Sequence, residues 1–219
     1  MTLKLALLGK DIGHSLSPKV YRELLPELSL YDLLDFKTVA EIPALNDLLK
    51  KYDGINVTAP YKNIFSKEII NCVKKTPQGY LTANTDILAA DEMLQIMLKQ
   101  FKKIEVALLG DGCMSLIYQA ILKKYNIPFI ICSRKLTPEF NSSSFFPAFQ
   151  TVFQKIIVNA CSRSMLYAGQ GDKKVYFYDL NYAMPEHLLK LPNLFLKYQD
   201  GEDFLRKQAS HSLQFFLSS

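Results

Sequence analysis

Short apolar runs alternate along the chain with stretches in which apolar residues recur at helical spacing. The run from Leu3 to Leu8 is apolar at nearly every position, which is typical of a strand buried on both faces. Further strands are predicted at Tyr31 to Thr38, Gly54 to Thr58, Ile104 to Leu109, Phe129 to Cys132, Lys155 to Val158 and Val175 to Leu180. Helices are predicted at Val20 to Leu28, Ile42 to Tyr52, Ile87 to Phe101, Leu116 to Tyr125 and Gly201 to Leu217, with a short one opening at Met184-Pro185. This alternation predicts an α/β protein with mainly parallel sheets, whose ligands bind beyond the carboxyl ends of the strands.

Lys62 and Asp86 are the first candidates for chemistry. Lys62 follows a strand that Pro60 ends, at the point where we expect the next helix to begin. Asp86 lies at the start of the long helix from Ile87, where the helix dipole favours a carboxylate. A lysine beside a carboxylate is a proton-transfer pair, because desolvation and the neighbour together set the pKa of the ammonium. Taken singly, a surface lysine and a helix-capping aspartate also have purely structural explanations.

Three motifs occur in a fixed order: His14-Ser15-Leu16-Ser17-Pro18, Asn56-Val57-Thr58-Ala59-Pro60-Tyr61-Lys62 and Asn84-Thr85-Asp86. In this order they resemble shikimate dehydrogenases. The resemblance continues through Gly110-Asp111-Gly112, Asn159-Ala160-Cys161-Ser162, Asp179-Leu180-Asn181-Tyr182 and the segment from Gly201 to Gln208, so it spans nearly the whole chain. It implies an oxidoreductase of aromatic amino acid biosynthesis that reduces 3-dehydroshikimate to shikimate with NADPH. In that reaction Lys62 and Asp86 are the catalytic residues. The start from Met1 to Gly9 is typical of a strand and not of a signal peptide, so a cytoplasmic location is expected.

The resemblance also implies a set of substrate-binding residues. Ser15 and Ser17 are expected to bind the substrate carboxylate, and Ser17 is also placed as the N-cap of the helix that Pro18 opens. The two roles are compatible. Gln208 lies among apolar neighbours on the last helix and needs a polar partner, either a substrate hydroxyl or a nearby backbone group. The remaining residues of this set are Asn56, Thr58, Thr85 and Tyr182.

The segment between Lys62 and Asp86 departs from the family. Typical members carry an Ala-x-Asn-Thr element and a hairpin there, whereas here Ile64 to Cys72 leads through Lys74 to Gly79 almost directly to Tyr80. We therefore expect the hairpin and one substrate-contacting asparagine to be missing. Losing one polar partner costs about 1–3 kcal/mol in binding. The choice between shikimate and quinate as substrate stays open for this reason.

A second motif, Gly110-Asp111-Gly112-Cys113-Met114-Ser115, lies between a predicted strand and a predicted helix. Its glycines permit a tight turn and let backbone N–H groups approach a pyrophosphate. The family usually has Gly-Ala-Gly-Gly-Ala, so Asp111 is a departure. A carboxylate that faces the phosphates would repel them, whereas one turned to solvent would have little effect.

The second strand of this β-α-β unit ends in Ser133-Arg134-Lys135, where an NAD enzyme places an acidic residue on the ribose. Two cations suit a 2′-phosphate, so NADP(H) is predicted over NAD(H), with a surface arginine as the structural alternative. The expected cofactor-binding residues are Gly110, Gly112, Cys113, Ser133, Arg134, Lys135, Asn159 and Gly201.

The resemblance predicts two α/β domains. Residues 1–86 with 200–219 would form the substrate domain, because family members return the last helix to it. Residues 87–199 would form a Rossmann-like NADP-binding domain, and the helix from Ile87 would link the two. The segment from Leu136 to Phe149, centred on Asn141-Ser142-Ser143-Ser144, is expected to be a loop followed by a short helix.

Composition narrows the remaining choices. The chain has 219 residues, of which 49% are hydrophobic, and a formal net charge of +5. Its short lysine pairs indicate a solvated face and no nucleic-acid partner, and no segment has the length of a membrane span. The four cysteines lack metal spacing, so free thiols and no metal are expected. The expected form is a monomer or homodimer, and the rival function is a non-catalytic protein that kept the shikimate pocket but lost productive dinucleotide binding.

Overall fold

The computed structural model describes residues 3–140 and 142–218. These residues form two five-stranded sheets with helices against them, which confirms the predicted α/β fold. The chain divides into two compact units, Met1–Ala89 with Leu205–Ser219 and Ala90–Phe204, called here the first and the second unit. Among the described helices, none is long and apolar enough to cross a membrane.

The first unit is built on a mixed sheet of strand order β2-β1-β3-β4-β5. β1 is parallel to both β2 and β3, while β4 is antiparallel to β3 and β5. Its elements are β1 (Lys4–Gly9), α1 (Ser17–Leu24), β2 (Leu30–Asp35), a 3-10 turn (Val39–Glu41), α2 (Leu45–Lys51), β3 (Gly54–Val57), β4 (Cys72–Thr76) and β5 (Gly79–Ala83).

The core of the first unit forms because β1 and β3 are apolar on both faces. Leu8 and Ile55 are fully buried and pack with Tyr52 and Val73 in one cluster. Leu8 pairs with Val57, so the residues after β1 and β3 lie side by side at one edge of the sheet. The approach is so close that a side-chain carbon at Gly9 would lie 2.5 Å from Thr58 Cγ2. Glycine at this position therefore allows the two strand ends to meet.

The second unit contains an all-parallel sheet of order β10-β9-β8-β6-β7. Its core is aromatic: Tyr167 packs edge-to-face on Phe177 at 5.1 Å between ring centroids, and Phe195 lies 4.9 Å from Phe177. The elements from the end of the first unit onward are α3 (Thr85–Gln100), β6 (Ile104–Leu109), α4 (Cys113–Lys124), β7 (Phe129–Cys132), β8 (Gln154–Asn159), β9 (Val175–Asp179), α5 (Pro185–Leu194), β10 (Lys197–Gln199) and α6 (Glu202–Leu217).

Several local predictions for the first unit are wrong. Leu16 is the N-cap of α1, Ser17 is the first helical residue, and the helix ends at Leu24 instead of Leu28. No helix follows Lys62, because residues 61–71 run through turns before β4. The expected loss of the hairpin is also wrong, since β4 and β5 form an antiparallel hairpin around Pro77-Gln78. The sequence does contain two signals of this hairpin. They are Pro77 in the turn and Gly79 after it, whose φ is +131°.

Three further differences lie in the second unit. α4 begins at Cys113, three residues earlier than predicted, so the glycine loop leads directly into the helix. β10 was not predicted, because three residues are too few to show a period. In the described part of the segment from Leu136 to Phe149 there is no helix, while Asn141, the centre of the predicted loop, lies outside the described residues.

Candidate active site

Lys62 and Asp86 form an ion pair between Nζ and Oδ2. Asp86 is the second residue of α3, as predicted, and Lys62 lies in the segment after β3, where its carbonyl accepts a hydrogen bond of 2.8 Å from the Ile70 N–H. Only 15% of the lysine side chain and 7% of the aspartate side chain are exposed. A largely buried lysine next to a carboxylate is placed to exchange a proton with an oxygen atom bound beside it.

Asn71 joins this pair through the other carboxylate oxygen. Its Nδ2 donates to Asp86 Oδ1 at 3.0 Å and to Thr85 Oγ1 at 2.9 Å, while its Oδ1 accepts from the Thr85 N–H at 2.7 Å. Asn71 is 3% exposed. Both oxygens of Asp86 therefore have partners, and the direction in which the carboxylate faces Lys62 is fixed.

Asn71 was missed at the level of sequence. The segment before Asn84 was expected to lack both a hairpin and a polar asparagine, but Asn71 immediately precedes β4, the first strand of that hairpin. The available signal was its position next to the buried Cys72-Val73 pair, in front of a strand-turn-strand pattern. Asn71 is thus the candidate for the asparagine that seemed to have no counterpart.

A buried polar network continues from Thr85 to the last helix. Ser212 on α6 lies 2.8 Å from Thr85 Oγ1 and 3.1 Å from Cys72 Sγ, and Gln208 Nε2 donates to Ser212 Oγ at 2.7 Å and to Thr85 Oγ1 at 3.2 Å. Asn56 donates to Ser212 at 3.4 Å. Ser212, which is fully buried, therefore connects two predicted binding residues 152 positions apart, Asn56 and Gln208, as 208 − 56 shows.

The thiol and phenol groups around this network stay protonated near neutral pH. Burial raises the pKa of the Cys72 thiol to about 12, although hydrogen bonds from Ser212 and Thr85 act in the opposite direction. Asn56 accepts a bond of 3.0 Å from the Tyr31 hydroxyl. Burial likewise raises the pKa of the Tyr21 hydroxyl, which is 1% exposed, although its interactions with Ser212, Asn56 and Gln208 act in the opposite direction. Neither Cys72 nor Tyr21 is therefore suited to act as a nucleophile or base.

Ser15, Ser17 and Thr58 lie beyond the neighbouring ends of β1 and β3. Ser15 Oγ is 3.1 Å from Ser17 Oγ and accepts a bond of 3.2 Å from the Ser17 N–H, so the two hydroxyls form one polar patch. Thr58 is held by a backbone bond of 2.9 Å to Leu8. The structure thus places these residues at one edge of the first sheet, as the parallel strands predict.

In the second unit the glycine loop follows β6 and leads into α4. Gly110 has φ +98°, and a side-chain carbon there would lie 3.1 Å from the Ala160 carbonyl oxygen. Gly112 is the N-cap of α4 and has no atom within 4 Å of the place of a side-chain carbon. Cys113 begins the helix. The N-terminus of a helix of 12 residues, approached through open space above Gly112, fits the pyrophosphate of a dinucleotide.

Ser133, Arg134 and Lys135 follow β7 at the same edge. Ser133 is 3% exposed and its hydroxyl has no hydrogen-bond partner among the described residues, whereas Arg134 and Lys135 are exposed. Lys135 Nζ lies 3.7 Å from Asp111 Oδ2, and the Asp111 side chain is 45% exposed. Asp111 therefore pairs with Lys135, one of the two cations that the sequence assigns to a 2′-phosphate.

Asn159 ends β8 and is held in a buried cluster around Asp179. Its Nδ2 donates to Asp179 Oδ1 at 3.0 Å, and His187 Nδ1 lies 2.6 Å from Asp179 Oδ2. His187 Nε2 accepts from the Tyr167 N–H at 2.9 Å, so the histidine proton is on Nδ1 and points at Asp179. This cluster holds the ends of β8 and β9 together. Asn159 therefore has a structural role at this edge of the second sheet.

Gly201 and Tyr182 are the last two of the predicted site residues, and both are held through contacts of their own backbone. A side-chain carbon at Gly201 would lie 2.4 Å from the Leu180 carbonyl oxygen, so close packing requires glycine there. Arg163 donates to the carbonyls of Tyr182 and Ala183, and its guanidinium carbon lies 5.9 Å from the centre of the Tyr182 ring. Tyr182 belongs to the second unit, whereas the other predicted substrate-binding residues belong to the first.

Taken together, the two sheets define a two-domain α/β protein with a Rossmann-like second unit. The particular fold is that of shikimate dehydrogenases. The chorismate mutase/shikimate 5-dehydrogenase fusion protein of Clostridium acetobutylicum superposes with a TM-score of 0.72 at 20% identity, covering 99% of this chain and 92% of that chain. The shikimate 5-dehydrogenase of Thermus thermophilus, solved with NADP(H) and shikimate, gives 0.70 at 18% identity and covers 99% and 94%.

Sequence comparison agrees with the resemblance read from the motifs, which is thereby confirmed. The NADP(+) shikimate dehydrogenase of Caldicellulosiruptor bescii is 28% identical over 127 residues, 50% of this chain and 44% of the relative. Three curated NADP(+) shikimate dehydrogenases match the chain in this way, and in each of them the match covers less than half of the relative's own length. No family model matches the chain.

Proposed function

We propose that this chain is an NADP(H)-dependent shikimate dehydrogenase that reduces 3-dehydroshikimate to shikimate. The observation that carries the proposal is the half-buried pair of Lys62 and Asp86, with Asn71 holding the second carboxylate oxygen. A purely structural ion pair at a sheet edge would not require a third polar residue to set its direction. The similarity in sequence and fold to shikimate dehydrogenases supports the same assignment.

Lys62 acts as the general acid. As the ketone carbon accepts a hydride, the developing alkoxide oxygen takes a proton from the Lys62 ammonium, and the C=O bond becomes CH–OH. Asp86 stabilises the charged lysine before the transfer and keeps its Nζ directed at the substrate oxygen. A positioned acid of this kind contributes typically about 10²–10⁴-fold to the rate.

The first unit binds the substrate through its hydroxyl and amide groups. Ser15 and Ser17 hold the substrate carboxylate with their hydroxyls, and Asn56, Thr58, Thr85 and Gln208 make the polar wall around its ring hydroxyls. Gln208 gives its Nε2 to Ser212 and Thr85, so its carbonyl oxygen remains to accept from a substrate hydroxyl. The family resemblance also assigns Tyr182 to substrate binding.

The second unit binds the dinucleotide. The pyrophosphate lies at the start of α4 above Gly112 and Cys113, and Gly110 makes the turn. Ser133, Arg134 and Lys135 bind the 2′-phosphate of the cofactor. Asn159 and Gly201 contribute to the rest of the cofactor site. When bound, NADPH supplies the hydride for the reduction.

The decisive experiment follows NADPH oxidation at its absorbance band with 3-dehydroshikimate and the purified chain. Replacing Lys62 by alanine should lower the turnover number by about 10²–10⁴-fold with little change in NADPH affinity. Lys67→Ala is the matched control, since Lys67 is exposed in the same segment and should keep wild-type turnover. Wild-type-like turnover in Lys62→Ala would exclude the assigned role.

Parallel assays with shikimate, quinate, NADP and NAD separate the related activities. Faster oxidation of quinate than of shikimate would assign the chain to quinate instead. Retained shikimate binding with no detectable NADPH binding would favour the rival function, a non-catalytic protein with a shikimate pocket.

A further inference from the structure

Asp111 and Lys135 meet at the edge of the second sheet where β6 and β7 end. The two strands are parallel, Leu109 pairs with Cys132, and the Gly110 N–H donates to the Cys132 carbonyl at 2.8 Å. This register brings the residue after Gly110 beside the residues after Cys132. The side chains follow the backbone, since Asp111 Oδ2 lies 3.7 Å from Lys135 Nζ.

The same edge also contains the second cation. Burial raises the pKa of the Cys161 thiol to about 12, and smaller effects come from Asp179, from Arg134 and from Asp111. Arg134 and Asp111 thus lie within electrostatic reach of one thiol at the end of β8. Two cations and one carboxylate therefore share the place at which a β-α-β unit receives the ribose of a dinucleotide.

We propose that Asp111 is a specificity-determining residue that lowers the preference of this site for NADP(H) over NAD(H). The proposal rests on the proposed function, because it concerns the same dinucleotide site. The 2′-phosphate carries between one and two negative charges, so a carboxylate beside Lys135 repels it. The neutral 2′-hydroxyl of NAD(H) is not repelled and can donate a hydrogen bond to the same carboxylate.

Asp111 acts in two ways on the phosphorylated cofactor. Its charge opposes the incoming phosphate, and it engages Lys135, which would otherwise neutralise that phosphate. The ion pair itself is weak, since the Lys135 and Asp111 side chains are 85% and 45% exposed, so Lys135 can leave it when a phosphate arrives. The carboxylate then remains next to the phosphate, and its repulsion persists in the complex.

The distinction between the 2′-phosphate and the pyrophosphate gives the test its selectivity. Both NADPH and NADH contain the pyrophosphate, so repulsion there weakens the two cofactors equally. Only NADPH has the 2′-phosphate. A change in the ratio of the two dissociation constants therefore reports the contact with the 2′-phosphate alone.

The experiment titrates the full chain with NADPH and with NADH, following nucleotide fluorescence at two salt concentrations. Asp111→Asn should tighten NADPH about tenfold at low salt and NADH by about twofold or less, with a smaller NADPH gain at high salt. Lys135→Ala should weaken NADPH more in the Asp111→Asn background than in the wild type, because Lys135 is then released from its pair.

Asp91→Asn is the matched control. Asp91 pairs with Lys124 at 3.1 Å at the other end of α4, so this variant removes one carboxylate and one lysine pair without touching the loop. Asp91→Asn should leave the ratio of the NADPH and NADH dissociation constants unchanged. Binding of NADPH by Asp111→Asn where the wild type binds none would also support the proposal.

Two results would overturn the proposed role of Asp111 in cofactor specificity. Equal tightening of NADPH and NADH in Asp111→Asn, or no change in either, would remove the specificity role and leave the proposed function intact. Absence of binding of either nucleotide to the wild type and to Asp111→Asn would overturn both the specificity role and the proposed function.

Discussion

Asn71 Nδ2 donates a hydrogen bond of 3.0 Å to Asp86 Oδ1, on the side of the carboxylate that Lys62 does not occupy. The asparagine precedes β4 and the aspartate lies in the first turn of α3, so the hairpin between them brings its own start and end together. A carboxylate held at both oxygens cannot rotate away from the lysine. The hairpin therefore acts on the geometry of the proposed acid.

The first prediction concerns Asn71→Ala. The change removes partners from the Thr85 N–H and from Asp86, both buried, so the free energy of unfolding should fall by about 1–3 kcal/mol. Turnover should also fall, while NADPH affinity stays unchanged, because the dinucleotide is assigned to the second unit. Urea unfolding and steady-state kinetics measure the two effects.

Asn63→Ala provides the comparison, since Asn63 is an exposed asparagine of the same segment. It should leave both the unfolding midpoint and turnover near wild type. An Asn71→Ala variant with wild-type stability and wild-type turnover would show that the asparagine has no part in holding Asp86.

The second prediction separates the two glycines of the dinucleotide loop. Gly110→Ala must place a side chain at φ +98° and 3.1 Å from the Ala160 carbonyl, so it should destabilise the second unit by about 1–2 kcal/mol. Gly112→Ala meets no neighbour within 4 Å, so its cost in stability should be limited to the poorer N-cap, about 0.5–1 kcal/mol. It should nevertheless weaken NADPH binding, because the new methyl group fills the space through which the pyrophosphate approaches.

Thermal unfolding and nucleotide fluorescence on both variants measure this difference. Equal stability of the two variants would contradict the strain assigned to Gly110. Wild-type NADPH affinity in Gly112→Ala would place the pyrophosphate elsewhere.

The third prediction concerns the pH dependence of stability at Glu105, a carboxylate buried within β6. Burial alone would raise its pKa, but the N–H groups of Gln150 and Thr151 and the Thr151 hydroxyl, at 2.7–2.8 Å, lower the pKa below its ordinary value of 4.5. A pKa lowered by folding contributes stability above the ordinary value. That contribution is lost as the pH falls through the folded pKa.

Glu105→Gln should therefore lower the free energy of unfolding by about 1.5–3 kcal/mol at pH 7, because it removes a charge that accepts three hydrogen bonds. The difference from wild type should shrink as the pH falls below 4.5. Denaturant unfolding from pH 7 to about pH 2 measures it, with the exposed Glu139→Gln as control. A difference that grows toward acid pH would contradict the assignment.

Elements with a local signal are predictable from the amino-acid sequence alone. β1 and β6 are buried strands because nearly every residue in them is apolar, and the run Ile156-Ile157-Val158 in β8 is buried for the same reason. The glycine loop lies between a strand and a helix, as its motif requires. Asp86 lies in the first turn of α3 for the same local reason. The ends of parallel strands share one edge, so the placement of the candidate residues at two sheet edges also followed from the pattern.

The pairing of the polar residues depends on the tertiary structure. Asn71 lies 15 residues from its partner Asp86, Ser212 lies 156 residues from Asn56, and Lys135 lies 24 residues, 135 − 111, from Asp111. No local period records such pairs, because they depend on which strand ends and helix faces meet after the chain has folded. The hairpin of β4 and β5 belongs to the same class. Its pairing holds Asn71 in place, whereas its exposed second strand, Gly79–Ala83, lacks the regular apolar alternation that marks a half-buried strand.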